Sequence, residues 1–332
     1  MIITRTPYRI SFFGGGTDYP DWYRVNGGAV LSATINKYCY VTARYLPPFF
    51  RHKHRIVYSR QENVSSVDEI NHPAVRETIR FSKIKHGLEI HHDGDVPAMS
   101  GLGTSSSFTV GLLNALAALE GKLKSKRELA LDAIHIEQNM IKERVGSQDQ
   151  TAAAFGGLNR IGFGGPQKIM VQPVVMPSDR IKELENHLLL FFTELPRNAS
   201  KIAAEQIKKI PAKTAELTTL HQAVDEGLKI LQSNQSLDEF GRLLDATWKI
   251  KRTLGLKITS PKIDAIYRAG CQAGALGGKL LGAGAGGFML FYVPPERQTT
   301  IKKRLQRFIT IPVRFEYNGS QIIYAGREFE EF

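Results

Sequence analysis

"VPAMSGLGTSSSFTVGLLNALAALEG", residues 96–121, is the stretch on which the fold turns. Gly101 and Gly103 remove side chains where backbone can approach a ligand. Thr104, Ser105, Ser106 and Ser107 then supply four hydroxyls in a row. Immediately afterwards Phe108, Leu112, Leu116 and Leu119 recur at helical spacing, and Gly121 closes the run. The pattern predicts a helix over 108–120 that opens from a glycine–hydroxyl loop. Unpaired N–H groups and the positive end of the helix dipole favour an anion there, and phosphate is the natural occupant. One serine would suffice to cap a helix, so four behind Gly-Leu-Gly exceed that need. No Gly-Lys-Ser/Thr follows, so this is no Walker A loop.

Two other stretches carry chemistry. In "RISFFGGGTDYP" (9–20) a strand with Ile10, Phe12 and Phe13 runs into Gly14, Gly15 and Gly16, then Thr17, Asp18 and Tyr19. In "SKRELALDAIHIEQNMIKERVG" (125–146) Ser125 and Glu128 form a capping-box pair. Ala130, Ala133, Ile134 and Ile141 then fall on one helical stripe, with Glu137 in its middle. An ionised Glu among apolar neighbours is costly unless paired or bound to a cation. Two readings stay open: Glu137 ligates a cation beside the loop's phosphate, or it snorkels at the stripe's edge. In "GSQDQTAAAFGG" (146–157) Asp149 is likewise either an Asx cap or a general base that accepts a hydroxyl proton.

The remaining chain mixes strands and helices with tight turns, which gives an α+β fold. "AVLSATINKYCYVTARYL" (29–46) and "LEIHHDGDVP" (88–97) read as strands, 72–87 and about 126–143 as helices. A Gly- and Pro-rich tract over 161–180 places a domain boundary, giving domains 1–172 and 173–332. Beyond it come a strand at 187–196, helices over 198–252 and 261–274, and two strands around "GAGAGG" (282–287). That glycine run precedes a strand rather than a helix, so it is no dinucleotide fingerprint. In "HHDGD" (91–95) His91 and His92 point to opposite faces of a strand, which argues against one shared metal.

The 332 residues are 42% hydrophobic and 23% charged, as in ordinary globular proteins. The N-terminus does not read as a signal peptide, no apolar run suits a membrane helix, and Cys39 and Cys271 lack metal spacing. A reducing cytoplasm fits. The formal net charge of +12, from 44 basic and 32 acidic residues, attracts anions: nucleotide, phosphorylated metabolite or nucleic acid. No zinc-finger or RNA-reading signature accompanies it.

Taken in order, "RTPYRISFFGGGTDYP" (5–20), "PAMSGLGTSSS" (97–107), "IEQNMIKERVGSQDQ" (136–150) and "KLLGAGAGGF" (279–288) resemble the motifs of the GHMP kinase superfamily. Within it, the triple glycine before Thr17-Asp18-Tyr19 and "TWKIKRTLG" (247–255) are similar to the D-glycero-D-manno-heptose 7-phosphate kinases. The resemblance implies an N-terminal domain like domain 2 of ribosomal protein S5 and a ferredoxin-like C-terminal α/β sandwich. It implies ATP-dependent phosphorylation of the anomeric C1 hydroxyl of a sugar already phosphorylated at C7, in bacterial nucleotide-activated heptose biosynthesis. The alternatives are a kinase of the same fold for another sugar, such as fucose or galactose, and a non-catalytic basic protein that binds nucleic acid.

The same resemblance implies the site. Asp149 matches the aspartate that takes the acceptor proton, and Arg9 the basic residue that steadies developing charge. Pro97, Ser100, Gly101, Gly103, Thr104, Ser105, Ser106 and Ser107 would bind the nucleotide. Ser105 and Glu137 would ligate Mg²⁺. Gly15, Gly16, Thr17, Asp18 and Gly284 would face the sugar. "FTELPRNAS" (192–200) resembles a family segment but carries Glu194 where glycine is usual. There Arg197 would face the substrate, with Lys249 and Arg252 as candidates for its phosphate. The implied partners are ATP and a phosphorylated sugar, without nucleic acid or membrane, for a monomer or homodimer.

Overall fold

The structure, a computed structural model, describes residues 1–165, 168–194 and 199–326. Arg197 lies outside them. Among the described residues twelve strands make two sheets: β1 (Ile2–Phe13), β2 (Gly28–Tyr45), β3 (His54–Val57), β4 (Gln61–Val64), β5 (Leu88–Gly94), β6 (Leu158–Phe163), β7 (Ile169–Pro173), β8 (Leu188–Phe192), β9 (Gly277–Leu280), β10 (Phe288–Tyr292), β11 (Ile309–Pro312) and β12 (Gln321–Ala325). The first sheet runs β12-β1-β2-β5-β3-β4, with β6 on the free length of β2 and β7 beyond it. β2, rich in β-branched residues and tyrosine, spans 18 residues without a break and pairs antiparallel with β1 from Ile2↔Ala43 to Phe13↔Leu31. The second sheet, β11-β8-β10-β9, is antiparallel throughout.

The helix Thr104–Leu119 packs on β1 and β2 and is buried on nearly every face. It starts four residues before the apolar periodicity does, so Thr104 and the three serines sit in its first turn rather than in a preceding loop. The long helix Thr214–Gln232 packs on β1 and β2, and the helix Asp238–Lys251 on β9.

The break expected at 172/173 falls at the end of β7, yet the two halves are not separate bodies. β12 returns to the first sheet and pairs with β1, Ile2 opposite Ala325. The apolar core is continuous too: Ile10, Phe12 and Leu31 cluster with Leu190, Phe240, Phe288 and Leu290. Phe240 stands edge-on to both Phe12 and Phe13, at 5.1 and 4.9 Å. The site lies along this seam.

Candidate active site

Strand β1 aims Arg9 and Ser11 to one side, by the alternation of a strand. The glycine turn beyond it is a folded device more than an open backbone. Gly14 has φ +81°, and a Cβ there would lie 2.0 Å from the Ala29 carbonyl oxygen. Gly16 has φ +113° and its N–H donates to Asp18 Oδ1 at 2.9 Å. Thr17 is fully buried, its hydroxyl donating to the Gly14 and Ala29 carbonyls at 2.9 and 2.8 Å. Thr17 therefore holds the turn, against its expected contact with sugar. Gly16 borders a cavity with Tyr19, Gln206, Lys213 and Leu217.

Asp18 is buried and acts as a socket. The Ser147 N–H donates to its main-chain carbonyl at 2.9 Å, and a Cβ on Gly146 would lie 1.8 Å from Asp18 Oδ2. Only glycine lets the 146–150 segment settle so closely. Burial pushes the Asp18 carboxyl up; the Gly16 N–H opposes that push and the nearby Asp149 charge adds to it. Docked this way, the helix Gln148–Phe155 carries Asp149 in its first turn to Arg9. The pair is bidentate: Arg9 Nε to Asp149 Oδ1 at 2.7 Å, Nη2 to Oδ2 at 2.8 Å. Arg9 is 3% exposed and also donates through Nη1 to the Gly101 carbonyl at 2.6 Å, whereas Asp149 keeps 27% of its side chain exposed. Asp149 is thus no turn cap; it is the accessible member of a fixed pair.

Arg9 also joins this pair to the loop of 96–107. Gly103, at φ +75°, is the N-cap of the helix Thr104–Leu119, and no described side chain caps it. A Cβ on Gly103 would lie 3.4 Å from Asp149 Oδ2 and 3.3 Å from Arg9 Cγ, so the uncapped helix end and the Arg–Asp pair are neighbours. The hydroxyls diverge. Ser105 is exposed at the helix mouth. Thr104 accepts from the Met99 N–H at 3.2 Å. Ser106 donates to Glu137 Oε2 at 2.9 Å. Ser107 is buried and donates to the Pro7 carbonyl at 3.0 Å, a strand contact in place of the expected nucleotide contact. Pro97 is exposed at the loop's entrance, and Ser100 is buried with its Oγ unpartnered among the described residues.

Glu137 is 1% exposed, so it does not snorkel. The helix expected over 126–143 ends at His135 and widens into a π turn over Ile136–Met140, which turns the carboxylate toward the serines. Gln150 Nε2 donates to Oε2 at 2.5 Å, while Oε1 has no partner among the described residues. Burial pushes its carboxyl up to about 7, against the bonds that hold the charged form. A buried carboxylate with one unpartnered oxygen, behind an uncapped helix N-terminus, fits a divalent cation, with exposed Ser105 next to Ser106 on that helix. The described residues hold no cluster of three or more His, Cys, Asp or Glu that fits a metal, so most of the coordination would come from phosphate and water, as Mg²⁺ prefers.

The third motif buttresses the second. Phe288 N–H donates to the Ser100 carbonyl at 3.0 Å, and a Cβ on Gly287 would lie 2.1 Å from that oxygen. Gly284, expected to face sugar, is buried against Ile258, whose Cα its Cβ would meet at 2.6 Å. Glu194 stands at φ +55°, the left-handed region that favours glycine.

Lys249 is exposed and pairs with Asp245 at 2.7 Å, and Arg252 pairs with Asp264 at 3.1 Å and lies over the Tyr267 ring, so both candidates for the sugar's phosphate already have carboxylate partners. The lysines at the glycine turn are Lys251 and Lys279, which sequence reasoning passed over. Lys251 Nζ lies 3.1 Å from where a Gly15 Cβ would stand. Phase was the available signal: Phe240, Leu244, Thr247, Trp248 and Lys251 recur at helical spacing, whereas Lys249 falls on the opposite side.

Phosphoryl transfer asks for positioning and charge neutralisation, which this seam supplies through an open helix end, a buried carboxylate and a held aspartate. The fold and site define a phosphotransferase. Residues 71–157 match the family model for the GHMP kinases N terminal domain, and residues 226–310 that for the GHMP kinases C terminal. The chain belongs to the GHMP kinase family, among its sugar kinases. It is 30% identical to a D-glycero-alpha-D-manno-heptose 7-phosphate kinase of Campylobacter jejuni, over 92% of this chain and 93% of that one. It is 23% identical to a galactokinase of Pyrococcus furiosus, over 92% and 93%. The crystal structure of a D-glycero-D-manno-heptose 1-phosphate kinase from Bacteroides thetaiotaomicron superposes with a TM-score of 0.81 at 25% identity, over 98% of this chain and 100% of that one.

Proposed function

We propose that this chain transfers the γ-phosphoryl group of ATP to the anomeric C1 hydroxyl of D-glycero-D-manno-heptose 7-phosphate, giving the 1,7-bisphosphate. The observation that carries the reading is the bidentate Arg9–Asp149 pair held beside an uncapped helix N-terminus. The substrate is supported by likeness to the Campylobacter jejuni heptose kinase along nearly the whole chain. The two free thiols, Cys39 and Cys271, suit a cytoplasmic enzyme.

The N–H groups of the first turn, 104–106, take the ATP phosphates. Asp149 accepts a hydrogen bond from the C1 hydroxyl and points its oxygen at the γ-phosphorus. The new O–P bond forms as the bond from the γ-phosphorus to the bridging oxygen breaks, ADP leaves, and the hydroxyl proton passes to Asp149. Arg9, donating to both Asp149 oxygens, fixes the carboxylate's direction. Glu137 and Ser105 would hold Mg²⁺, which neutralises phosphate charge when bound.

The test is ADP release with Mg²⁺-ATP and a panel of heptose 7-phosphate, sedoheptulose 7-phosphate, mannose, fucose and galactose. Selective turnover of the heptose phosphate supports the reading. Preference for fucose or galactose keeps the kinase and overturns the substrate. No turnover of any sugar by folded protein overturns both.

A further inference from the structure

Lys279, on β9, is 4% exposed and its Nζ donates to the Phe12 carbonyl at 2.7 Å. That bond uses one of three donors, and no carboxylate pairs with it among the described residues. Burial, with Lys251 and Arg9 nearby, pulls its ammonium well below the usual lysine range, and Asp18 only partly opposes this. Lys251, 8% exposed, donates to the Gly282 carbonyl at 3.2 Å. Both lysines line one small cavity with Gly14, Gly15 and Thr247.

A further group points to what belongs there. Ser11, 4% exposed, has an Oγ with no partner among the described residues. A Cβ on Gly15 would stand 3.7 Å from that Oγ and 3.1 Å from Lys251 Nζ, so the hydroxyl and the ammonium both border the space a side chain at Gly15 would fill. A buried Lys279 ammonium with one of three donors used and an idle buried Ser11 hydroxyl are costly as they stand. A dianion with several acceptor oxygens answers both, and Lys251 adds positive charge beside them.

We propose that Lys279, Lys251 and Ser11 form the subsite for the phosphate that the acceptor sugar already carries. Gly15 is glycine because the phosphate and its lysine need the volume a side chain would fill. The inference rests on the phosphosugar reading above and moves the recognition of that phosphate from Lys249 and Arg252 to the buried face of the same helix and to β9.

The test measures kcat and KM for heptose 7-phosphate and for unphosphorylated mannose in wild type, Lys279→Met, Lys251→Met, Lys279→Arg and Ser11→Ala. KM for the phosphorylated sugar rises roughly 10–100-fold in each Met variant, with kcat changed far less, and the preference for a phosphorylated acceptor collapses. Lys279→Arg recovers part of that preference. Ser11→Ala raises the same KM about 3–10-fold without lowering thermal stability, since it removes an unsatisfied hydroxyl. Variants that keep the wild-type preference overturn the subsite alone. An equal fall of kcat on both acceptors with KM unchanged also overturns it, by assigning the lysines to the transferring phosphoryl group. A wild type indifferent to the acceptor's phosphate overturns the phosphosugar reading and the subsite with it. Should a Met variant fail to fold, Ser11→Ala and Lys279→Arg still decide.

Discussion

Asp149 and Glu137 are two carboxylates set to different tasks by their surroundings. Asp149 is partly exposed and fixed by a two-pronged guanidinium. Asp149→Asn keeps the shape and removes the proposed proton acceptor, so ATP binding should persist while kcat falls about 10²–10⁴-fold; calorimetric ATP titration beside ADP-release kinetics checks this. Glu137 is buried with one oxygen unsatisfied. Its folded-state carboxyl, at about 7, lies above the ordinary 4.5, so the fold favours the protonated form. The stability this gives is complete below the ordinary value and is lost as pH rises through about 7. From the shift, the swing is at most ~3 kcal/mol. In metal- and nucleotide-free protein, thermal melts at pH 5 and pH 8 should therefore show Glu137→Gln gaining on the wild type as pH rises. Mg²⁺-ATP should restore the wild type at pH 8 and help the variant less. Equal pH profiles would contradict the raised carboxyl, and equal stabilisation of variant and wild type by Mg²⁺-ATP would remove Glu137 from the cation site. Of this much was legible: composition and stripe phase marked Glu137 as misplaced and left Asp149 as one of two readings. What sequence lacked was the partner. Nothing local says that Arg9 meets a residue 140 positions on.

At the scale of elements, the site depends on close backbone approaches. Gly287→Ala sets a methyl 2.1 Å from the Ser100 carbonyl at φ +102°, so it should destabilise by about 2–4 kcal/mol and raise KM for ATP. Urea unfolding and nucleotide titration read the two effects. Gly146→Ala sets a methyl against Asp18 Oδ2, and so displaces the 146–150 segment and with it Asp149; kcat should fall more than ATP affinity. The sequence marks these glycines as motif residues without showing the backbone approaches they permit. Gly14, Gly284 and Gly287 serve the packing of one backbone on another, which depends on tertiary approach. The serines were found as a group and mis-sorted as individuals, because successive residues of a helix face different directions: Ser105 outward, Ser106 to Glu137, Ser107 to Pro7. Helical phase turns Lys251 inward and leaves Lys249 exposed, a difference that a basic run read without its phase does not show. The π turn carries no sequence signal that periodicity detects, since a stripe at 3.6 residues runs on through it.

For the molecule as a whole, strand and helix content and the α+β class were legible from periodicity and turns. The boundary expected at 172/173 rests on a composition change alone. It hides the return of β12 to β1 and the core shared between the sheets, both set by contacts far apart in the chain. Trp22, from the first half, is buried in one cluster with Trp248 and Phe291 of the second. One cooperative transition should follow, with tryptophan fluorescence and far-ultraviolet circular dichroism coinciding in urea. Two separated transitions would show that the halves fold independently. Among the described residues no helix is long and apolar enough to cross a membrane.

The measurement that bears most directly on the central claim is nuclear magnetic resonance of the product made from Mg²⁺-ATP and D-glycero-D-manno-heptose 7-phosphate. With Asp149 facing the C1 hydroxyl, one new phosphorus signal should appear, coupled to the anomeric proton, as ADP accumulates in equal amount and the 7-phosphate signal persists. A new phosphate on any other carbon, or ADP formed without a phosphorylated sugar, would contradict the account.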